Sequence, residues 1–463
     1  MMAIVGLKKL QSGQAVSRRE QVVLVAQLSW PAILAQISSV VMQYIDTAMV
    51  GQLGSHASAS IGVVTSTTWL FGEVCGGMTI GFNVAVAQAL GAREEKRARS
   101  MMRLAFLVCM AFSLLLMAAA LVISGDLPRW LRADLAIRED ACTYFRVFAL
   151  ALPFLQLNNL CGGMLRSAGY VKTSGICMAI MCLLDVVFNA FLIFPAGAVH
   201  IFGTALPGFD LGVKGAAVGT ALSQILISLV LTFFLLVRSP ELHWRRGEKR
   251  SASRGELLRC LRISAPVMTE RGIKAAAQMV MTTVVAPLGI VATAANSLAV
   301  TAEGLCYMPA YGVQSAASAL IGQSVGSGRR DLTYRLGRLT VVMGMGMMAV
   351  TGIALYWLAP TMMRMMSVDA AVIALGVRVL RIEAFAEPLF GATIVANGVF
   401  QGAGSTLIPM LVNFATMWGI RLPLAMLLAP KIGLTGVWIA MAAELGLCGL
   451  CFLLRLLRKR WLP

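Results

Sequence analysis

The fold class that the sequence predicts is an all-α polytopic membrane protein, with twelve transmembrane helices in two homologous six-helix bundles related by a pseudo-twofold axis along the membrane normal. Three observations predict it. The chain of 463 residues is 58% hydrophobic and only 13% charged, with mean hydropathy +0.80, far more apolar than a typical soluble domain. Its apolar residues fall into twelve long continuous runs. The second half of the chain repeats the first in a fixed register.

The runs lie near 24–50, 58–86, 102–124, 142–165, 173–196, 213–237, 260–286, 292–320, 337–360, 371–398, 405–429 and 433–457. Each is long enough to cross a hydrocarbon core of roughly 30 Å, which takes about 20 helical residues. Barrel strands would need alternating ten-residue segments. These runs are instead continuous in Leu, Ala, Met and Gly, so helices are the economical reading. No signal-peptide pattern with a small-residue cleavage site precedes the first run, and the N-terminus is read as retained.

Between the runs, basic residues alternate in density. Lys8, Lys9, Arg18 and Arg19 precede the first run; Arg93, Lys96, Arg97, Arg99 and Arg103 follow the second; Arg166 and Lys172 follow the fourth. Arg238, Arg245, Arg246, Lys249, Arg250, Arg254, Arg259 and Arg262 follow the sixth. Arg329, Arg330, Arg335 and Arg338 follow the eighth, and Arg455, Arg458, Lys459 and Arg460 close the chain. The intervening loops hold only Arg129, Arg132, Arg138, Lys214, Arg364 and Lys431. This bias predicts both termini on the cytoplasmic side. The net charge of +18 is then a topology signal with attraction to anionic inner-leaflet lipid, and calls for no nucleic acid.

A shift of 235 residues places Pro31 on Pro266, Gln43 on Gln278, "QLGSHA" (52–57) on "PLGIVA" (287–292) and "AQALGA" (87–92) on "GQSVGS" (322–327). Without a gap it also places Pro153 on Pro388, "GGMLRSAG" (162–169) on "NGVFQGAG" (397–404) and Pro195 on Pro430. After Pro195 the first half inserts a Gly-rich outer loop, and "GVKG" (212–215) matches "GLTG" (433–436) at an offset of 221. The domains expected are a cytoplasmic segment 1–23, an N-terminal lobe 24–237, a basic linker 238–258, a C-terminal lobe 259–457 and a cytoplasmic tail 458–463. Two homologous bundles fit a secondary carrier that alternates access to a central site. No phosphate-binding GxxxxGK[ST] loop is present, which leaves ion gradients as the energy source.

Pro31 followed by "IDTAMVGQLG", "AQALGA" before a basic loop, "GGMLRSAG" after the fourth span, "GQSVGSG" and "QGAGST" together resemble the multidrug and toxic compound extrusion (MATE) family, over roughly 25–457. The resemblance implies a twelve-helix antiporter with a V-shaped central cleft, expelling amphipathic, often cationic small molecules in exchange for H+ or Na+, with no other cofactor and as a monomer in a bacterial inner membrane. By the same resemblance Asp46 is the first-helix acid that serves the coupling cation. Thr220, Asn158 and Asn159 match polar positions lining the same lobe; ordinary helix–helix hydrogen bonding is their alternative. Asp185 and Asn189, four residues apart and so on one helix face, reverse the Asn-then-Asp order of many proton-coupled members. A carboxylate with an amide carbonyl suits a proton relay or a sodium ion, and the coupling ion stays open.

In the second half, Glu270, Glu303, Glu387 and Glu444 are candidate buried acids. Where one family branch keeps an acid eight residues after the seventh-helix proline, this chain has Lys274, so Glu270 is expected to pair with it within the helix. Glu387 either meets cationic substrate or pairs with Arg381 or Arg421, and Glu270, Glu73 and Glu303 join it as substrate-binding candidates. "CGLC" (448–451) sits in an apolar run and reads as packing rather than redox chemistry. Three histidines, His56, His200 and His243, form no metal-spaced pair. Rival readings are a lipid or lipid-linked saccharide flippase, which would want a strongly basic cleft, and a polytopic membrane enzyme, which would want a convergent catalytic constellation.

Overall fold

The computed structural model of the chain describes residues 9, 14, 16–131, 133–195, 200–201, 204–205, 208–243 and 253–462. The centre of the expected linker, 244–252, and the basic residues Lys8, Arg132, Arg245, Arg246, Lys249 and Arg250 of the orientation pattern lie outside the described residues.

Twelve long helices run through the described residues, one for each apolar run. They are α1 (Arg18–Gly51), α2 (Ser55–Gly91), α3 (Glu95–Ile123), α4 (Leu135–Ser167), α5 (Val171–Ile193), α6 (Gly212–Arg238), α7 (Arg254–Val285), α8 (Ile290–Gly326), α9 (Arg330–Met366), α10 (Ala370–Ala403), α11 (Leu407–Ile432) and α12 (Leu434–Leu457). Several run up to two turns past their apolar run into charged sequence, because an α-helix keeps its backbone bonded on either side of the lipid boundary. Side chains set several of the starts. Asp134 accepts from Ala136 N–H at 3.1 Å and Asp369 from Ala371 N–H at 2.8 Å, each an N-cap. Ser253 and Glu256 form a reciprocal capping box, both bonds 3.3 Å, at the head of α7. Nine of the helices suffice as spans on length and composition alone. The other three, α7, α8 and α10, carry the buried acids Glu270, Glu303, Glu383 and Glu387.

The repeat recurs in the backbone. Gly54 and Gly289, 235 apart, turn with φ of +103° and +99°; Gly169 and Gly404, at the same offset, with +92° and +80°. Side chains with a Cβ are strained there. After the slip, Gly212 and Gly433 match at 221 with +52° and +62°. The loops add small elements that the apolar pattern does not mark: a helical turn Leu127–Trp130, a ladder of His200–Ile201 with Thr204–Ala205, and a bridge from Pro195 to Phe209. None changes the all-α class.

The chain divides into two compact units. One holds Ile37–Val86 and Glu94–Ser264; the other holds the described residues through Gln36, Ala87–Arg93 and everything from Ala265. Helices α1 and α7, with Pro31 and Pro266 inside them, are each shared out between the units.

The first unit packs α2, α3 and α4 around Val64, Cys75, Ala120, Phe145, Ala149 and Leu152, with Phe71 edge-on to Phe145 at 6.1 Å. The start of α7 is fixed on α2 by Ser264, whose hydroxyl donates to Met78 O at 2.8 Å while accepting from Gly81 N–H at 3.0 Å. At the head of α3, Arg97 donates to Glu94 and Glu256 at 2.9 and 2.8 Å.

The second unit packs α7 to α12 around Ala277, Ala299, Leu355, Val379, Leu422 and Trp438. The end of α2 joins it through a reciprocal contact: Gly91 lies on the backbone of Gln323, and Gly326 on the backbone of Gln88. Both pairs are repeat equivalents, and only glycine admits so close an approach.

After α12 the chain folds back and buries Trp461, 2% exposed, against Phe400 and Gly337, with Nε1 donating to Leu456 O at 3.0 Å. Trp461→Ala is expected to cost about 3–5 kcal/mol, read as a lower midpoint of thermal unfolding in detergent. Trp461→Phe keeps most of the packing and should lie close to the wild type; an unchanged midpoint for the alanine variant would remove the ring from the set of stabilising contacts.

Candidate functional site

Three helices of the first unit bring together the acids of the N-terminal half. Asp46 lies just over one turn before the end of α1 at Gly51, and Asp185 and Asn189 sit one turn apart on α5. Asn189 Nδ2 donates to Asp46 Oδ1 at 2.9 Å and to Asp185 Oδ2 at 3.2 Å. Its amide therefore spends both N–H groups on the two carboxyls. Ser223 on α6 donates to Asp185 Oδ1 at 3.2 Å, and Thr220, whose carbonyl oxygen lies 2.9 Å from the same Ser223 hydroxyl, stands about one turn before it. Asp185 and Asn189 are sealed, 0% and 1% exposed, while Asp46 is half-buried.

Small residues on α6 make this closeness possible. Gly215 lies on the backbone of Leu192, and a Cβ at Gly219 would overlap the Asn189 side-chain oxygen. That oxygen, Asn189 Oδ1, is buried without a hydrogen-bond partner, so the amide is oriented by its donors. The family resemblance pointed to Asp46 and Thr220, and the spacing on α5 to Asp185 with Asn189. Ser223 and Gly219 were missed, although Thr220 and Ser223 share an α6 face at i, i+3.

Asn158 and Asn159 do not join the hydrogen-bonded set. Asn158 Nδ2 donates to Gln224 O at 3.2 Å and lies 3.9 Å from Met181 Sδ, which ties α4 to α6 and α5. Asn159 is half-buried on α4. Glu73 is likewise half-buried, on α2.

The second unit carries two polar groupings of its own. Glu270 Oε1 accepts from Lys274 Nζ at 2.7 Å, as the intrahelical spacing predicts, and also from Asn397 and Asn413 at 3.0 and 2.8 Å. Glu444 accepts from Thr416 at 2.9 Å and lies 3.9 Å from Arg421, which ends a π-helical turn, Met417–Arg421, within α11. Glu383 and Glu387, both 0% exposed, have no hydrogen bond to any of their carboxyl oxygens, and Glu303 is 6% exposed. Neither arginine named for Glu387 serves it. Arg381 donates to Tyr356 O and stacks over that ring at 4.9 Å, and Arg421 is beside Glu444. Glu383, Asn397, Asn413 and Thr416 went unremarked in the sequence, since isolated polar residues within long apolar runs signal nothing about their partners. Among the described residues no group of three or more His, Cys, Asp or Glu is arranged to hold a metal ion.

An acid pair bridged by an amide among spanning helices, in a chain built from two matched six-helix halves, defines a multi-pass membrane transporter. The chain belongs to the MatE family, whose model matches residues 31–191 and 266–427. It is 24% identical to the probable multidrug resistance protein NorM of Thermotoga maritima, over 94% of this chain and 92% of that one, and 25% identical to the multidrug resistance protein MdtK of Edwardsiella ictaluri, over 94% of each. A NorM protein of Burkholderia pseudomallei is 27% identical over 92% of this chain and 87% of its own. Among solved structures, a MATE protein in its straight conformation superposes with a TM-score of 0.87 at 20% identity, covering 98% of this chain and 99% of that one. An outward-facing MATE-family transporter gives 0.87 at 19%, covering 98% of both. The fold is theirs.

Proposed function

We infer that this protein is a secondary active multidrug efflux antiporter, exporting amphipathic, cationic organic compounds in exchange for protons by alternating access. The carrying observation is the Asn189 amide that bridges Asp46 and Asp185. Two carboxyls brought into reach of one another accommodate a proton between them, because both cannot stay ionised side by side in a low-dielectric site. A sodium ion would want oxygens turned toward it, whereas the Asn189 amide presents N–H groups to the acids and turns its oxygen to Gly219. The multidrug names of the relatives, within one family, support the substrate class.

On this reading 24–237 and 259–457 are the working lobes, 238–258 their basic linker, and 1–23 and 458–463 cytoplasmic ends of a monomer in a bacterial inner membrane; the density of basic residues supports that orientation. Glu387, Glu303 and Glu73 are the acids assigned to cationic substrate. Glu270 is assigned to structure instead, since Lys274, Asn397 and Asn413 already occupy its carboxylate.

The test is transport of a cationic dye in vesicles of the purified protein under separately imposed gradients. Dye movement driven by a proton gradient and indifferent to sodium is expected. Movement under sodium alone would overturn the proton assignment, and none under either gradient would overturn antiport.

A further inference from the structure

The second half carries its own version of the acid site, with the sign of one charge reversed. At the offset of 221, Thr220 and Ser223 of α6 fall on Met441 and Glu444 of α12. On α11 the π-helical turn Met417–Arg421 closes its hydrogen bonds one residue further on than an α-helix does, and so accommodates an extra residue. The contacts beyond it shift accordingly. In the first half Gly215 lies on the backbone of Leu192; its equivalent Gly436 lies on Leu428, at an offset of 236 rather than 235. Counted by contact, Arg421 therefore takes the place of Asp185, and Ala425 that of Asn189. Met281, buried in one apolar cluster with Met417, Ala425 and Met441, stands where Asp46 does.

Arg421 donates to Met441 Sδ, and its Nη1 lies 3.9 Å from Glu444 Oε2, the two side chains being 11% and 6% exposed. Glu444 also accepts from Thr416 at 2.9 Å. Where the first half sets the Asp185 carboxyl against the Ser223 hydroxyl, the second sets a guanidinium against a carboxylate. A guanidinium in a protein does not give up its proton, so positive charge here is built into the chain instead of being taken up and released. Its charge also acts on Glu303 of α8 and Glu383 of α10. We propose, on the reading of Asp46 and Asp185 as the proton site, that Arg421 is a resident cation in the second-half copy of that site. The protein then couples through one site, although its repeat provides the frame for two. Without Arg421, Glu444 would be an uncompensated acid in apolar surroundings, and such an acid takes up a proton.

The experiment counts protons. Full-length protein in vesicles receives a cationic dye under a series of imposed proton gradients, with the membrane potential clamped at zero. The logarithm of the dye ratio at zero net flux, plotted against the pH difference, has a slope equal to the protons exchanged per dye. Arg421→Gln should raise that slope by about one proton per dye. Arg421→Lys should keep the wild-type slope, and Arg421→Gln/Glu444→Gln should return to it. A raised slope that persists in the double variant would hand the extra proton to Glu303 or Glu383 and overturn the assignment. A second measurement needs no transport: a hydrophobic carbodiimide labels protonated carboxyls, and peptide mass spectrometry maps them. Glu444 should label about tenfold or more faster in Arg421→Gln than in the wild type, the effect of losing an opposite charge at this distance. In the wild type Asp46 should label and Glu444 should not, a comparison that holds even if the variant fails to insert. Glu444 labelling in the wild type as readily as Asp46, or a wild-type slope in a transporting Arg421→Gln, overturns the proposal. A wild type that moves no dye under any proton gradient overturns antiport, and labelling still decides whether Arg421 keeps Glu444 free of a proton.

Discussion

Asp46→Asn is expected to insert and fold as the wild type does, while its gradient-driven efflux falls to the level of protein-free vesicles. The amide is nearly isosteric with the carboxylate and keeps an oxygen in the place where Asp46 Oδ1 accepts from Asn189, 2.9 Å away. It cannot take up or release a proton. An antiporter must keep ion and substrate from occupying the protein independently, and a carboxyl whose charge changes with ion binding gives that exclusion through a local rearrangement. Asp46 stands where such a rearrangement is easiest, because α1 has Pro31 within it and ends at Gly51, where its outer turn can repack. Half-buried, Asp46 is also the more open member of the pair, Asp185 being fully sealed. Substrate binding, which we assign to other acids, should persist in the variant. The check is dye binding and vesicle transport measured side by side on one preparation; wild-type transport by Asp46→Asn would remove it from the coupling step.

The fold was legible because its signals are of long range in sequence and simple in kind. Twelve apolar runs became α1 to α12, and the offset of 235 reappears as paired left-handed turns at Gly54 and Gly289. The limits of α3 and α9 were blurred because lipid contact decides hydropathy but hydrogen bonding decides where a helix stops. Of the site, Asp46 and Asp185 stood out in the chain, since an acid costs too much in a membrane span to stand there without use; Asn189 followed from its place one turn from Asp185, and Thr220 from the family resemblance. Their joint geometry could not be. That Asn189 points its donors at both acids depends on Gly219 leaving room across the α5–α6 contact, and no periodicity in either helix reports the space between them. Nor did spacing predict that Glu270 would gather Asn397 and Asn413 from α10 and α11 in addition to its neighbour Lys274.

The reversed order on α5 gives the second large effect. Asp185→Asn is expected to express and fold nearly normally, because Ser223, which donates to Asp185 Oδ1 at 3.2 Å, finds an amide oxygen in the same place. Transport should nevertheless collapse, since Asp46 then faces two amides and no second carboxyl shares its proton. The exchange Asp185→Asn with Asn189→Asp restores one acid and one amide on the face opposite Asp46. An acid at 189 meets Asp46 directly, because the Asn189 side chain already reaches Asp46 at 2.9 Å, and an amide at 185 inherits the Ser223 bond. The two substitutions should therefore be strongly non-additive, with a coupling of about 0.5–3 kcal/mol in favour of the exchange, and the double variant should recover a measurable part of proton-driven efflux. Rates for the wild type, both single variants and the exchange, normalised to protein in the vesicles, give the cycle. An exchange as inactive as Asp185→Asn would mean that the acid must stand at 185, under Ser223 and Thr220, and that the pair does not act as an interchangeable unit.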